Sequence, residues 1–367
     1  MKGVGPASLE AALAPYRDRS NREIESLLAA YEGSRGEPKY PSLRTLAANR
    51  KILVAGKRYR YAIACIAYQG LTGAPDFEVP ARPAAWLELY HLYTLFLDDI
   101  MDEDARRRTV PSAWSTAAKT YRGRDAARPA RVFRTARNRY GASMAILDAL
   151  RIRSLAERAI QTAKADVALR SQLLELLTDV DLKLSDGQGL DIDFEAAARI
   201  TEEDYARMSE LKTGVLYVAA AKTGSVLANA PEVRARALEE FARRFAWAFQ
   251  DRDDLLGAGV VPSQIGGSAQ GDIERGKRTR LYAIAVSRMP TAKRKPFLAA
   301  YGRGPRTTAK DVRLVRSALR EYALDAMAQR IEENVNRALG ALQAARLAES
   351  SSGILAAMAL DQLTRKK

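Results

Sequence analysis

The chain has 367 residues, of which 47% are hydrophobic, so it can form one large domain or two ordinary ones with a substantial core. Its 59 lysines and arginines against 44 aspartates and glutamates give a net charge of +15, which favours an anionic partner. Nucleic acid, anionic lipid and phosphorylated metabolites all remain open. Cys65, the lone cysteine, excludes a disulfide framework or a Cys-based zinc site within one chain and suits a reducing cytosol.

The N-terminal stretch MKGVGPASLEAALAPYRDRSNREI has no continuous apolar segment, so we expect no signal peptide. The longest apolar run, residues 84–97, is short for a membrane span and contains Glu88 and His91. We therefore expect a cytoplasmic protein without stable membrane insertion.

Apolar residues recur at helical spacing along most of the chain, alanine is abundant, and no convincing set of alternating strands is present. The clearest predicted helices are LLAAYEG (27–33), YAIACIAYQGL (61–71), LLELLTDVDLKL (173–184), LYVAAAKTGSVLA (216–228), ALEEFARRFAWAF (237–249) and ALDAMAQRIEENVNRALGALQAARLA (323–348). The pattern predicts an all-α protein.

Gly, Pro, Ser or charged residues interrupt the helical pattern at four places, residues 70–80, 109–129, 257–276 and 349–353. None resembles a long flexible linker, so we expect one helical domain over residues 1–367. Its expected parts are an N-terminal extension (1–40), a catalytic core (41–348) and a C-terminal helix with a basic tail (349–367). We interpret the arginine-rich stretch at 119–139 as a loop and a solvated helix face rather than a nucleic-acid site.

Two acidic clusters, each followed by basic residues, suggest one site. On a helix, Asp98 and Asp102 lie one turn apart on the same face, where like charges repel. Mg²⁺ removes this conflict, because it takes oxygen ligands and binds substrate phosphates at the same time. Asp253 and Asp254 are candidates for the opposing ligands, and the nearby arginines and lysines suit a diphosphate. For DDIMD alone, a charged helix end with intrahelical ion pairs remains an equally good interpretation.

The order of short motifs resembles that of the trans-isoprenyl diphosphate synthase (polyprenyl synthetase) family. These motifs are AGKRYRY (55–61), ELYHLYTLFLDDIMD (88–102), RRTVP (107–111), GQGLD (187–191), the pair Lys212-Thr213, FQDRDDLLG (249–257) and DIERGK (272–277). Each motif is weak alone, but their succession in this order is specific.

The resemblance implies an isoprenoid synthase fold of about ten core helices around a central cavity, usually as a homodimer. It also implies a reaction in which an allylic diphosphate ionises, isopentenyl diphosphate attacks the cation, and a proton is lost. Asp98, Asp102 and Asp253 would ligate Mg²⁺, for which Mn²⁺ can substitute, while Asp99 and Asp254 support them.

The same resemblance divides the basic and polar residues between two substrates. The residues implied for the allylic diphosphate are Arg107, Lys212, Thr213, Gln250 and Lys277. The residues implied for isopentenyl diphosphate are Lys57, Arg60, His91 and Arg108.

Product length in this family depends on bulky residues upstream of the first aspartate motif. Tyr93 and Tyr90 precede Asp98 by five and eight residues and share a helix face, so together they would form the floor of the product pocket. This pattern resembles short-chain synthases and predicts geranylgeranyl or farnesyl diphosphate as the product.

Two other functions remain as alternatives. A class I terpene synthase on the same fold has no use for the second, isopentenyl diphosphate set of residues. A non-catalytic basic helical binding protein has no use for two aspartate clusters, which repel nucleic-acid phosphates. Several positions depart from the family pattern: Gly257 replaces an aspartate, Gly267 stands where lysine is frequent, Trp114 stands where histidine is common, Thr109 replaces a glycine, and the segment 145–150 lacks another glycine.

Overall fold

The computed structural model describes residues 6–34, 36, 40–107, 110–129, 131–197, 199–262 and 271–366, and it is almost entirely helical, as the sequence predicts. The helices are α1 Pro6–Gly33, α2 Thr45–Ala48, α3 Arg50–Leu53, α4 Tyr59–Thr72, α5 Glu78–Met101, α6 Ala113–Ala118, α7 Ala136–Gln161, α8 Val167–Ala196, α9 Glu202–Ser209, α10 Val215–Leu227, α11 Glu232–Gly257, α12 Gly271–Arg275, α13 Arg280–Arg288, α14 Thr291–Ala300, α15 Ala309–Ala345 and α16 Glu349–Thr364. The other regular segments are the 3₁₀ turns Pro41–Leu43 and Gly304–Arg306, the π-helical turn Glu210–Gly214 and the strands β1 Arg106–Arg107 and β2 Val110–Pro111, which pair antiparallel.

Side-chain caps determine where several helices begin. The Thr201 and Thr308 hydroxyls accept hydrogen bonds from the backbone N–H groups of Asp204 and Asp311, whose carboxylates bond back to the threonine backbone. Each pair is a capping box that satisfies two otherwise unpaired N–H groups at a helix start. The long helix α15 therefore begins at a sequence signal rather than at a packing contact.

Helix α5 lies in the middle of the core and packs against α1, α4, α7 and α10. Its buried side chains surround it on most faces, and Trp86, Tyr90 and Phe96 have no exposed surface. Helix α11 packs along α15 and α10, and its C-terminal end carries the second aspartate motif. No helix in the described ranges combines the length and apolar character that crossing a bilayer requires.

The helix break expected near residues 349–353 lies slightly earlier in the chain, at residues 346–348. Helix α15 ends earlier, at Ala345, because Arg346 adopts a left-handed conformation with φ 50°. Residues 349–353 instead form the start of α16. The break expected at 109–129 also contains the short helix α6.

Asp251 lies beside the second aspartate motif in sequence but has a separate partner in the core. Nε of Arg280, on α13, donates to Oδ1 of Asp251 at 2.7 Å, and both side chains are at most 3% exposed. The Arg280 guanidinium also lies 5.1 Å from the ring centre of Tyr205. Asp251 therefore connects α11 to α13.

Replacing Asp251 or Arg280 with alanine should lower the free energy of unfolding by about 3 kcal/mol or more, because either change leaves a buried charge unpaired. Urea unfolding of D251A, R280A and the double variant measures this. We expect the double variant to lose less than the sum of the two single losses. Strictly additive losses would show that the two side chains do not stabilise each other.

Candidate active site

The first aspartate cluster lies at the C-terminal end of α5. The Asp102 backbone N–H donates to the Asp98 carbonyl at 2.8 Å, so the helical turn continues through Asp102. Burial and the charge of Asp98 raise the pKa of Asp102 to about 6. The helix C-terminus is itself the negative end of the helix dipole, so these carboxylates favour a nearby cation.

Arg107 supplies one such cation from β1, directly after α5. Its Nε donates to Asp99 Oδ1 at 3.0 Å, and its Nη2 donates to Asp98 Oδ2 at 3.2 Å. Asp99 is buried, and this burial raises its pKa although Arg107 opposes the shift. Asp99 thus fixes the Arg107 side chain beside Asp98. Arg108, expected to contact isopentenyl diphosphate, lies outside the described residues.

Lys212 approaches Asp98 from the opposite side. Its Nζ donates to Asp98 Oδ1 at 3.0 Å and to Asp191 Oδ2 at 2.5 Å. Burial lowers the pKa of Lys212, but Asp98 and Asp191 outweigh burial and leave it raised. Arg107 and Lys212 therefore take different oxygens of the Asp98 carboxylate.

The GQGLD motif explains how Lys212 reaches this position. Lys212 belongs to the π-helical turn 210–214, and α8 passes so close that a Cβ on Gly187 would lie 2.4 Å from the Lys212 backbone nitrogen. Glycine at this position therefore permits the contact. One helical turn later, Asp191 receives the Lys212 ammonium. The motif contained this residue, but sequence reasoning gave it no role.

Lys277 completes the cationic side of the site from the segment that follows α12. Burial lowers its pKa, but the surrounding carboxylates outweigh burial and leave the pKa raised. These carboxylates are Asp272, Asp191, Asp98 and Asp254, in decreasing order of effect. Lys277 therefore lies in a field produced by both aspartate motifs.

Asp272 places a carboxylate beside Gly257, where the family pattern has an aspartate. Its Oδ2 lies 2.1 Å from the place that a Cβ on Gly257 would occupy. Arg275 donates to the other Asp272 oxygen at 3.3 Å. A carboxylate therefore reaches the end of α11 from α12, which the spacing of the second motif alone does not indicate. Gly267 lies outside the described residues.

Asp254 forms the buried part of the second motif. The Tyr205 hydroxyl donates to its Oδ2 at 2.7 Å, and Gln250 Nε2 donates to its Oδ1 at 3.0 Å. Gln250 in turn accepts a hydrogen bond from the Thr213 hydroxyl at 3.0 Å. Burial raises the pKa of Asp254 to about 7. Thr213 and Gln250 are thus linked to each other and to Asp254.

Asp253 has a different environment from its neighbour. Its Oδ1 accepts a hydrogen bond from Arg365 Nη2 at 2.5 Å, and the Arg365 side chain, which follows α16, is 5% exposed. The described ranges contain no group of three or more acidic, histidine or cysteine side chains arranged for a metal. The ligand set Asp98, Asp102 and Asp253 therefore stays a prediction.

Two of the residues expected to bind isopentenyl diphosphate, Lys57 and Arg60, lie against aromatic rings. The Lys57 ammonium lies 5.4 Å from the ring centre of Tyr59, and the Arg60 guanidinium lies 4.3 Å from that of Tyr217. Arg60 Nε is buried and has no hydrogen-bond partner among the described residues. His91 is half-buried on α5, two turns before the first aspartate cluster.

Trp114 has a structural role at the position where histidine is common in the resembled family. Its indole N–H donates to the backbone carbonyls of Asp99 at 3.1 Å and Asp104 at 2.8 Å. These carbonyls belong to the end of α5 and the turn that follows it, where helices leave acceptors unpaired. The indole therefore stabilises the backbone that carries the first cluster.

Tyr90 and Tyr93 lie on one face of α5, N-terminal to the aspartate cluster. Their ring centres are 5.2 Å apart and the rings are nearly edge-to-face. Tyr90 has no exposed surface, whereas Tyr93 is half-buried. The two rings are therefore in contact on one face of α5, as their spacing predicts.

Several known proteins are similar to this chain. The polyprenyl synthetase family model matches residues 44–319. A geranylgeranyl diphosphate synthase of Methanosarcina mazei is 31% identical over 66% of this chain and 67% of that protein. A geranylfarnesyl diphosphate synthase of Aeropyrum pernix is 30% identical over 86% of this chain and 92% of that protein. The crystal structure of a geranylgeranyl pyrophosphate synthetase from Pyrococcus horikoshii superposes with a TM-score of 0.81 at 26% identity, over 98% of this chain and 99% of that one.

Proposed function

The chain belongs to the polyprenyl synthetase family, and from this membership we propose that it condenses isopentenyl diphosphate with an allylic diphosphate to make geranylgeranyl diphosphate. One observation carries the proposal: Lys212 and Arg107 bind different oxygens of Asp98, so cations and carboxylates alternate at one point. Such an alternation suits a metal-bound diphosphate. It is a short-chain prenyltransferase, and we favour this C20 product over farnesyl diphosphate.

The oxygen-rich donor set fits Mg²⁺. Asp98 and Asp102 share one face of a helix end, where burial and then the charge of Asp98 raise the pKa of Asp102, and a divalent cation would relieve the repulsion between the two carboxylates. Mg²⁺ typically uses one or two carboxylates, waters and substrate phosphates, so the protein need not supply a complete cage. When bound, it acts as a Lewis acid on the departing diphosphate. Asp253 would complete the ligand set from α11.

The chain's own cations would stabilise the negative charge that develops as the allylic diphosphate departs. Arg107 and Lys212 are held by Asp99 and Asp191, so their positive groups are positioned before substrate arrives. Lys277 adds a third positive charge in the same field. The Thr213 hydroxyl donates to Gln250, and it would have to turn from that contact to donate to the diphosphate.

Lys57, Arg60 and His91 would bind the diphosphate of the second substrate. The buried Arg60 Nε, unpaired among the described residues, supports an anionic ligand there. A terpene cyclase takes one diphosphate and needs no such group. We therefore favour condensation of two substrates over cyclisation.

An apolar face on α7 and α8 supports a homodimer. Ile146, Leu147 and Leu150 on α7 are 38–51% exposed, and Leu182 on α8 is 66% exposed. A second copy of the chain covering this face would remove these side chains from water.

Catalysis should depend on a divalent metal ion. Turnover should require Mg²⁺ or Mn²⁺, and Asp98→Asn or Asp253→Asn should lower kcat by at least about a hundredfold, because the diphosphate charge is no longer neutralised. Steady-state assays with and without excess EDTA measure this. Asp186→Asn, at an exposed site on α8, is the matched control and should behave as wild type. Undiminished turnover in EDTA would contradict the prediction.

Different variants should weaken the binding of the two substrates. Arg60→Ala or His91→Ala should raise the KM for isopentenyl diphosphate by about tenfold or more, whereas Lys212→Ala should raise the KM for the allylic diphosphate. Each loss removes a charge-assisted contact from one diphosphate. Varying one substrate while the other saturates measures both constants. Equal changes in the two constants would show that these roles are assigned to the wrong residues.

Product length should depend on the two tyrosines of α5. The wild type should stop at geranylgeranyl diphosphate, and the double variant Tyr90→Ala, Tyr93→Ala should make longer chains, because the limit is steric exclusion. Chromatography of the dephosphorylated products measures chain length. A wild-type product of C30 or longer, or an unchanged product in the double variant, would show that other residues form the floor of the product pocket.

A further inference from the structure

The Tyr90 ring is connected to a chain of polar contacts that leads away from the candidate active site. Its hydroxyl donates to Oδ1 of Asp181, on α8. Arg153, on α7, donates to Oδ2 of the same carboxylate through Nε at 2.9 Å and through Nη2 at 2.6 Å. Arg153 Nη1 also donates to Glu157 at 2.6 Å. The chain of contacts therefore joins α5, α8 and α7.

The same ring is packed on both sides by aromatic neighbours from α5. Trp86 lies edge-on at 6.1 Å between ring centres, and Tyr93 at 5.2 Å. The Trp86 indole N–H donates to the Thr223 hydroxyl on α10 at 3.2 Å. The three rings occupy one helix face at spacings of four and three residues, and Tyr90 is the middle one.

The carboxylate contact restricts how this middle ring can move. A tyrosine hydroxyl bonded to a carboxylate makes a charge-assisted hydrogen bond, which is stronger than a neutral one. Asp181 cannot turn away with the ring, because Arg153 holds its other oxygen with two N–H groups. A rotation of Tyr90 would therefore break the hydroxyl contact and leave a buried polar group unpaired.

We propose that Asp181 and Arg153 are positioning residues that set product length, because they hold the Tyr90 hydroxyl and prevent its ring from turning aside before a growing isoprenoid chain. The proposal rests on the proposed short-chain synthesis and goes beyond the steric volume of the two tyrosines. It predicts that product length depends on a charged contact outside the apolar pocket. Neither residue touches a diphosphate in this account.

Tyr90→Phe is the most direct test, since it removes the hydroxyl and keeps the volume of the ring. With farnesyl diphosphate as the primer, the fraction of product longer than geranylgeranyl diphosphate should rise by about tenfold, and Asp181→Ala and Arg153→Ala should give a similar rise. Arg153→Lys, which keeps the positive charge, should restore part of the wild-type distribution. The rate of the first condensation should not change in the Asp181 and Arg153 variants.

Asp179→Ala is the matched control, because Asp179 lies on α8 near Asp181 but is 63% exposed and pairs with Lys183. It should leave product length unchanged. Thermal unfolding of each variant sets an assay temperature at which all remain folded, and Tyr90→Phe keeps the test decisive if Asp181→Ala does not fold.

Three results would overturn different parts of the account. In one outcome, the double tyrosine-to-alanine variant makes longer products while Y90F, D181A and R153A make the wild-type product. The two tyrosines would then form the floor of the product pocket, but the contact with Asp181 and Arg153 would not set product length. An unchanged product in the double variant would refute the floor and the anchoring together. Absence of any prenyl transfer by the wild type would refute the proposed function itself.

Discussion

Negative charge concentrated at the C-terminal ends of two helices is the constraint on which the rest of the site depends. Asp98 and Asp102 lie at the end of α5, and Asp253 and Asp254 lie near the end of α11. Both positions oppose the helix dipole, so the carboxylates destabilise the helices that carry them unless cations are close. The chain meets this requirement with Arg107, Lys212 and Lys277, which approach from separate segments.

Close backbone contacts make that convergence possible. Gly187 lets α8 pass against the π-helical turn, and this contact brings Asp191 to the Lys212 ammonium. A π-helical turn changes the register of the helix locally, and such turns are frequent at functional sites. The short strand pair after α5 returns Arg107 onto Asp99. Arg107 and Lys212 are thus each held by a carboxylate before a diphosphate enters.

Two departures from the family motifs have defined surroundings in the structure. Asp272 delivers a carboxylate to the space beside Gly257, and the Trp114 indole bonds the backbone at the end of α5. A short motif gives the position of a residue in the sequence, whereas the chemistry depends on which groups its side chain contacts.

The sequence by itself determined the features that follow from local helix geometry. The all-α fold, the shared face of Asp98 and Asp102, and the adjacency of Tyr90 and Tyr93 all follow from 3.6 residues per turn. Helical periodicity does not depend on which helix packs alongside, so these predictions hold in the folded structure.

Only the tertiary structure decided which distant charges meet. Asp253 and Asp254 are neighbours in sequence, yet one pairs with Arg365 and the other is buried against Tyr205. Asp251 pairs with Arg280, and Asp181 reaches Tyr90 across the α5–α8 contact. Successive residues on a helix point about 100° apart, so their partners depend on the angle and distance at which other helices pack, and those are properties of the whole core.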